Sequence, residues 1–377
     1  MEENKKNKIP NVPNLRFPHE GEWIKYKLKE ISKIYDGTHQ TPDYKKEGIR
    51  FVSVEDIKNL YSSNKFISKE NYKRDFKIVP EKGDILMTRI GDIGTPAIVD
   101  RDEPLAYYVS LALIKPKNLL DNAFGKQLIQ TPSFRHELWK KTIHVAFPKK
   151  INKDEIGECA CYLPDLVNQK EIGNFLRLLD KRIETQNKII EELKTLKAAI
   201  SDLIFKALKC ENIIIEKLCS ITTGKLDANA GNPNGKYRFY TCAEEYSFID
   251  NYSFDCEAIL ISGNGANVGY VHQYSGKFNA YQRTYVLYDF KGISPTYLKY
   301  YLEVFLKQKI NAEKNTGNTP YIRLNTIAKM AIKKPDKTTQ EKIVSALDKI
   351  SEKLSIEIRK IDLFKKQKSY FLSNLFI

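Results

Sequence analysis

Two stretches of the chain, residues 164–206 and 335–377, carry apolar residues at alternating intervals of four and three. That spacing predicts two long helices, each with a narrow apolar seam of the kind that packs against another helix. The predicted seam residues are Ile172, Leu176, Leu179, Ile183, Ile190 and Leu193 in the first stretch and Ile343, Leu347, Ile350, Leu354, Ile361 and Phe364 in the second.

The two stretches align without a gap at an offset of 171 residues. Each opens with Pro-Asp, has a Gln five residues after the proline and an Ile three residues later. Proline followed by an acidic residue favours the first turn of a helix, where N–H groups lack partners. Polar residues interrupt the two seams at matching places, Gln186 with Glu357 and Lys197 with Lys368. These coincidences indicate an internal repeat.

The segments before the two helices also correspond, with Ala106-Tyr107 matching Ala280-Tyr281 at an offset of 174. Short β-branched and aromatic runs separated by Gly, Asn and Asp predict many strands, and residues 126–141 and 296–311 have helical spacing. We therefore expect an α+β protein with a pseudo-two-fold repeat. Its predicted parts are a tail (1–19), a first globule (20–163), a central helix (164–209), a second globule (210–334) and a distal helix (335–377).

This order of elements predicts that the two helices pack antiparallel, the first leading to the second globule and the second returning from it. One chain would then resemble a dimer with two unlike heads. Dimeric DNA-binding proteins bind two half-sites with a defined spacing. A pseudo-dimer with unlike heads would prefer a split and asymmetric target, and the helix pair would set the gap.

The charge balance is strongly basic, with 62 Lys and Arg against 47 Asp and Glu, a net charge of +15. A surplus of this size favours a polyanionic partner such as DNA, although a merely soluble basic protein is an alternative. The six cysteines form no CxxC pair, so we expect reduced thiols and no structural metal. The polar start and the absence of a long apolar run predict a cytoplasmic protein without a membrane span.

At this point three stretches resemble the specificity subunits of Type I restriction-modification systems. They are PNLRFPHEGEWIKYKLKEISKIYDGTHQTP at residues 13–42, YLPDLVNQKEIGNFLRLLDKRIETQ at 162–186 and PDKTTQEKIVSALDKI at 335–350. The resemblance extends over nearly the whole chain in the order recognition domain, helix, recognition domain, helix. Two departures exist: Ile350-Ser351 replaces Leu179-Asp180, and the second copy lacks a counterpart of Trp23.

The resemblance implies a non-catalytic DNA-recognition subunit that binds double-stranded DNA, two methyltransferase subunits and two restriction-translocase subunits. It implies adenine modification within a bipartite site, one part for each recognition domain. The chain itself would need no cofactor, since the partner subunits would bind S-adenosylmethionine and ATP. A methylation-only or Type II-like system is an alternative setting.

Candidate DNA-binding residues lie in polar, glycine-rich or basic loops of both globules, where Arg, Asn and Gln suit base edges and Lys suits phosphates. Gln282 and Arg283 are of special interest, because the alignment places the unlike Tyr108 and Val109 at their positions. Plain hairpin turns and solvated charge runs are the competing interpretations. The candidates are Thr38, His39, Thr41, Arg89, Gly91, Asp92, Lys149, Lys150, Lys225, Asn264, Asn267, Gln282, Arg283, Tyr321 and Arg323.

Two other function classes compete with a DNA-binding subunit. An enzyme would need paired carboxylates, a Ser/His arrangement or a metal cluster at workable spacing, and the sequence offers none of these. A protein-binding scaffold would use the helix pair alone, with the charge incidental. That scaffold would give no sequence-dependent footprint on DNA.

Overall fold

The computed structural model describes residues 12–17, 21–313 and 321–377. The chain divides into two compact units. Unit 1 contains residues 1–186 and 360–377, and unit 2 contains residues 187–359. The architecture is mixed α+β with an internal repeat, so the predicted fold class is confirmed.

The strands of unit 1 are β1 (Ile24–Lys27), β2 (Ser32–Asp36), β3 (Ile49–Val52), β4 (Phe66–Ile67), β5 (Ile85–Thr88), β6 (Pro96–Ile98), β7 (Leu105–Tyr107), β8 (Leu111–Pro116) and β9 (Ala160–Leu163). Its shorter helices are α1 (Leu28–Ile31), α2 (Lys69–Asp75), α3 (Asn122–Gln130), α4 (Pro132–Lys141) and α5 (Lys153–Gly157). The central helix α6 (Leu166–Ala207) begins in unit 1 and ends in unit 2.

The strands of unit 2 are β10 (Asn212–Ile214), β11 (Ser220–Thr223), β12 (Tyr237–Tyr240), β13 (Ser247–Ile249), β14 (Phe254–Ser262), β15 (Val271–Ala280), β16 (Thr284–Tyr288) and β17 (Ala331–Lys333). Its shorter helices are α7 (Pro295–Ala312) and α8 (Leu324–Ala328). The distal helix α9 (Lys337–Asn374) begins in unit 2 and ends in unit 1.

The main sheets of the two units share one strand order. In unit 2 a single six-stranded sheet runs β11-β16-β14-β15-β12-β13. In unit 1 the corresponding strands form two sheets, β2-β8-β5-β6 and β4-β3-β7. The single strand β15 corresponds to the two pieces β6 and β7, which the segment 99–104 separates. That segment ends in Pro104, which has no N–H for a sheet ladder.

Strand register corrects the alignment of the repeats by one residue. Ile85 pairs with Ile114 in unit 1, and its repeat counterpart Ile259 pairs with Leu287 in unit 2. The offset in this strand is therefore 173 and not the 174 expected from the sequence. A local shift of one residue is invisible to an alignment of short apolar runs, because β pairing alone fixes it.

Residues 126–141, which have helical spacing, are helical in the structure but belong to two helices. The helix α3 ends before Thr131, and the Thr131 hydroxyl accepts a hydrogen bond from the Phe134 N–H to begin α4. Pro132 occupies the first turn of α4, where its missing N–H costs nothing. The second predicted stretch, 296–311, lies within the single helix α7.

The repeated Pro-Asp motif begins both long helices. Asp165 accepts hydrogen bonds from the Val167 and Asn168 N–H groups (2.8 and 3.0 Å), and Asp336 accepts one from Thr339 (2.9 Å). These N–H groups stabilise the ionised carboxylates, so the pKa of each aspartate lies below its usual value. The aspartate is thus the N-cap residue that satisfies the first turn.

The repeated glutamine ties each long helix to its globule. In unit 1 the Gln169 amide accepts a hydrogen bond from the Asp121 N–H (2.9 Å) and donates to the Pro164 carbonyl (2.9 Å). In unit 2 Gln340 accepts from the Ser294 N–H (2.8 Å) and donates to the Pro335 carbonyl (2.9 Å). Both glutamines are buried, so these bonds join the start of the long helix to the start of α3 or α7.

In unit 1 the two long helices run antiparallel. Phe175 of α6 meets Phe371 of α9 with ring centroids 4.9 Å apart, and further along α6 the Arg182 guanidinium lies 4.4 Å from the Phe364 ring centre. Residue numbers rise on one helix as they fall on the other. Of the predicted seam residues in this unit, Ile172, Leu176, Leu179 and Ile361 are buried, and Ile183 and Phe364 are partly buried.

In unit 2 the end of α6 and the start of α9 share an apolar core with α7. Phe205 of α6 packs edge-on against Tyr297 and Tyr301, with ring centroids 5.6 and 5.1 Å apart. The seam residues Ile343 and Leu347 of α9 belong to the same apolar cluster. The remaining predicted seam residues of this unit are buried or partly buried, namely Ile190, Leu193, Ile350 and Leu354.

The lysines that interrupt the two seams have equivalent partners. In unit 1 Lys368 donates to Gln130 (2.9 Å), and in unit 2 Lys197 donates to Glu303 (3.1 Å), the repeat counterpart of Gln130. Lys368 also forms an ion pair with Asp180, which accepts further hydrogen bonds from Gln127 (2.8 Å) and Lys126 (3.1 Å). Burial raises the pKa of Asp180, but the two ammonium groups lower it by more, so the carboxylate stays ionised.

The Asp180 cluster yields a test of the helix pairing. We expect Asp180→Ala to lower the free energy of unfolding by about 2 kcal/mol in urea titrations, because it leaves the Lys368 charge in a mostly buried site without its partner. Combining it with Lys368→Met should recover most of that loss. The exposed Asp362→Ala on α9 is the control, and a double variant no more stable than the single one would contradict the ion-pair interpretation.

Candidate nucleic-acid interface

A glycine-containing turn follows an inner strand of each main sheet, residues 89–95 after β5 and residues 263–269 after β14. We call these the glycine turns, and equivalent backbone bonds hold both of them. In unit 1 the Ile151 N–H donates to the Arg89 carbonyl (3.0 Å), and in unit 2 the Ile322 N–H donates to the Gly263 carbonyl (2.7 Å). One bridge then joins Ile90 to Lys150, and its counterpart joins Asn264 to Tyr321. The turn and the segment before the next long helix therefore form one surface in each unit.

Gly91 and Gly265 occupy equivalent positions in these turns, and each has a φ of +80°. A Cβ atom at either position would meet no other atom within 4 Å. Backbone conformation, and not lack of space, therefore requires glycine here. The open space over each turn lets another molecule approach the backbone closely.

In unit 2 the turn forms one wall of an open groove of about 500 Å³. The groove gathers four of the residues that the sequence proposes for DNA binding, Asn264, Gln282, Arg283 and Tyr321. Thr223 and Tyr285 also line the groove, and the sequence did not suggest them. They lie on β11 and β16, which are distant from each other in sequence, and only the register of the sheet places them beside the turn.

The polar groups in and beside the groove differ in whether they already have hydrogen-bond partners within the protein. The Gln282 amide donates to Asp227 (2.9 Å), which orients it, and the Arg323 guanidinium donates to the Tyr321 hydroxyl (3.1 Å). The Tyr285 hydroxyl donates to the Ile322 carbonyl (2.9 Å), and burial raises its pKa so that it remains protonated. Arg283 is exposed, and its guanidinium bonds to no described residue.

The structure corrects the repeat counterparts of Gln282 and Arg283. The Gln282 N–H donates to the Leu226 carbonyl (2.9 Å), as the Val109 N–H donates to the Thr38 carbonyl (2.9 Å). Gln282 therefore corresponds to Val109, and Arg283 corresponds to Ser110, one residue later than the sequence alignment suggested. Val109 and Ser110 are buried, whereas Gln282 and Arg283 are exposed.

In unit 1 an ion pair occupies the place of the groove. Arg89 corresponds to Gly263, because both donate an N–H to equivalent carbonyls, those of Ser110 and Arg283 (2.9 Å each). The Arg89 guanidinium bonds to Asp36, the counterpart of Thr223, and to the Val109 carbonyl (2.9 Å). Arg89 is 7% exposed. This residue, proposed from the sequence as a base reader, supports the turn from inside the protein.

The other candidates of unit 1 lie on two loops. Thr38 follows β2, and its hydroxyl accepts a hydrogen bond from the Gln40 N–H (3.3 Å), while His39 and Thr41 are exposed. Asp92 accepts a hydrogen bond from the Thr95 hydroxyl (2.7 Å) in the glycine turn. The Gly91 N–H donates to the Lys149 carbonyl (2.8 Å), which sets Lys149 and Lys150 beside that turn.

Three candidates of unit 2 do not line the groove, and one of them, Arg323, bonds to the groove residue Tyr321. Lys225 is exposed after β11, directly before the Leu226 contact. Asn267 lies on the far side of the glycine turn, in a second groove that also includes Tyr270 and Lys299. The turn therefore presents polar residues to two surfaces, and only the first of them includes Arg283.

Other chemistry is sparse in the described ranges. No group of three or more His, Cys, Asp and Glu suited to a metal occurs among them. Burial raises the pKa of Cys159 and of Cys161 to about 12, so these thiols are protonated at neutral pH. Among the described helices, none combines the length and the apolarity that a membrane crossing requires.

Residues 20–195 and 209–364 match the Type I restriction modification DNA specificity domain, so the repeat consists of two copies of this domain. The chain belongs to that family. It is 38% identical over 138 residues to the Type I restriction enzyme EcoDI specificity subunit of Escherichia coli, covering 37% of this chain and 30% of the relative. It is 24% identical over 210 residues to the MjaVIII specificity subunit of Methanocaldococcus jannaschii, covering 53% and 48%. The matches thus span less than half of each curated relative.

The fold is similar to that of a Type I restriction-modification S subunit from M. genitalium. The TM-score is 0.65 at 15% identity, and the match covers 97% of this chain and 99% of the other. At this identity the likeness concerns the fold alone. It covers both units and both long helices of the present chain.

The contrast between Arg89 and Arg283 leads to a second test. We expect Arg89→Ala to lower the free energy of unfolding by about 2 kcal/mol, because Asp36 and the Val109 carbonyl lose a buried partner. The exposed Arg283→Ala should change it by less than about 0.5 kcal/mol. Urea unfolding of both variants measures the difference. Equal losses would contradict the assignment of Arg89 to the interior.

Proposed function

We propose that this chain is the DNA-reading subunit of a Type I restriction-modification complex and recognises an asymmetric, bipartite site. Each unit would read one part of the site through the surface at its glycine turn. The chain would direct separate methyltransferase subunits to adenines in that site, and restriction subunits where the system contains them. Partner subunits would supply the binding sites for S-adenosylmethionine and ATP.

One observation carries the proposal: beside turns that the same backbone bonds hold, the two units have unlike side chains. Unit 2 exposes Gln282 and Arg283 where unit 1 buries Val109 and Ser110. A repeat that served only packing would have no need of this difference at an exposed edge. The net charge of +15 supports a polyanionic partner for both surfaces.

In unit 2 we assign sequence reading chiefly to Arg283 and Gln282. A free guanidinium presents two parallel donors, which suit the O6 and N7 acceptors of guanine in the major groove. An oriented amide such as that of Gln282 suits the N6 and N7 atoms of adenine. Asn264 and Tyr321 lie in the same groove and would add contacts to neighbouring bases or phosphates.

In unit 1 the buried Arg89 leaves other residues to make the contacts. Thr38, His39 and Thr41 would approach base edges, and Lys149 and Lys150 would contact phosphates. Phosphate contacts give affinity and position without reading the sequence. The two units would therefore use different side chains on one scaffold, which is what an asymmetric target requires.

We further propose that the long helices set the spacer and carry the partner subunits. Several large apolar residues on them are exposed and are available to pack against protein partners. The residues with more than half of their surface exposed are Val167, Leu178, Leu203, Leu363 and Tyr370. A helix of 42 residues is about 60 Å long, which is ample to bridge separate stretches of duplex.

The methylome of cells with and without the gene tests this proposal. We expect one gapped, asymmetric motif methylated on adenine that disappears on deletion and returns with the wild-type gene. Replacing residues 20–163 with those of a relative should change one half of the motif only, and adding seven residues to both helices should widen its gap. An unchanged methylation pattern after deletion would contradict the proposed function.

A single substitution tests the reading residue of unit 2. We expect Arg283→Ala to weaken binding of the assembled complex to its motif by about 1–3 kcal/mol and to relax the preference at one base position. Arg359→Ala on α9 removes the same charge from an exposed site outside the groove and serves as the control. Competition binding against duplexes altered at each position measures the change. A uniform loss at all positions would assign Arg283 to a phosphate instead.

A further inference from the structure

A loop of unit 1 leaves two large apolar side chains in the open. Between α4 and α5 the chain forms a hairpin from Ile143 to Lys150, and Val145 and Phe147 at its tip are 98% and 103% exposed. The Phe147 ring contacts no other ring among the described residues. Isolated apolar residues are common on surfaces, but two almost completely exposed ones on one tip lose all the stabilisation that burial would give.

The base of this loop is fixed. The Ile143 N–H donates to the Lys150 carbonyl (2.8 Å), and Lys150 bridges in turn to Ile90 of the glycine turn. On the other side the His144 ring packs against Trp139 with centroids 4.9 Å apart. The tip therefore projects from an anchored base beside the surface that we assign to DNA.

The charges around the tip are positive and uncompensated. Lys149 and Lys150 follow Phe147 after Pro148, both are exposed, and neither forms an ion pair with a described residue. The lysines beside the tip suit a partner with phosphates on its outside. The apolar tip suits a partner with an apolar interior behind those phosphates. A DNA duplex has this construction, because its stacked bases lie between two phosphate backbones.

We propose that Phe147, with Val145 beside it, is a wedge that inserts between neighbouring base pairs at the half-site read by unit 1, while Lys149 and Lys150 hold the flanking phosphates. Apolar wedges of this kind unstack a base step and bend the duplex. The wedge would let unit 1 recognise how easily its site deforms, in addition to the base edges. This inference rests on the proposed function of the chain.

The test uses the complex with its methyltransferase subunits and a duplex that carries the methylome motif, with 2-aminopurine placed at successive positions of the unit 1 half. We expect wild type to raise the fluorescence at one step, which reports unstacking. Phe147→Ala should abolish this rise and weaken binding about tenfold, with an unchanged dependence of the affinity on salt. Leu119→Ala, an exposed apolar residue elsewhere in unit 1, is the matched control.

Loss of the two lysines should change the salt dependence of binding and leave part of the unstacking signal. We expect Lys149→Ala with Lys150→Ala to lower the slope of log affinity against log salt by about 2, because two phosphate contacts are lost, while some fluorescence rise remains at saturating protein. A Phe147→Ala complex that retains both its affinity and its fluorescence rise overturns the wedge. So does a Phe147→Ala chain that no longer assembles with the methyltransferase without DNA, since the tip would then be a protein contact. Absence of any motif in the methylome would instead count against the proposed function.

Discussion

The position of each long helix depends on a buried glutamine side chain, and the same arrangement occurs in both units. Gln169 and Gln340 each join the first turn of a long helix to the first turn of a globular helix, through backbone groups that have few other partners. Because the amide both accepts and donates, it fixes the position and the orientation of the long helix together. The apolar seam adds stability along the helix, but a seam alone tolerates rotation and sliding. The glutamine removes that freedom at the start of each long helix.

That fixed frame explains how two unlike surfaces arise from one scaffold. The bonds that hold the glycine turns are backbone bonds and do not depend on side-chain identity. Gly263 and Thr223 leave a groove in unit 2, whereas Arg89 and Asp36 fill the same place in unit 1. Different residues at these equivalent places therefore give a groove in one unit and a buried ion pair in the other, although the same backbone bonds hold both turns. Recognition can diverge while the framework stays constant.

Features set by local periodicity were predictable, and features set by register were not. The seam, its lysine interruptions and the Pro-Asp helix starts follow from spacing along one element. Arg89 has a residue type that suits base reading, but the sequence does not reveal that its side chain is buried. The groove of unit 2 depends on Thr223, Gly263 and Arg283 meeting across three strands, and a shift of one residue in the alignment hid their counterparts. The exposed tip at Phe147 precedes the basic run, and the sequence does not reveal that this aromatic side chain is exposed.

The division of both long helices between the units has a consequence for biosynthesis. Unit 2 is a continuous stretch of the chain, residues 187–359, so it can fold as soon as that stretch leaves the ribosome. Unit 1 needs residues 360–377, whose Phe376 packs against Trp23 and Phe124. The globule that is made first must therefore wait to be completed until the last helical turns emerge. Damage near residue 370 would consequently destabilise unit 1 and leave unit 2 intact.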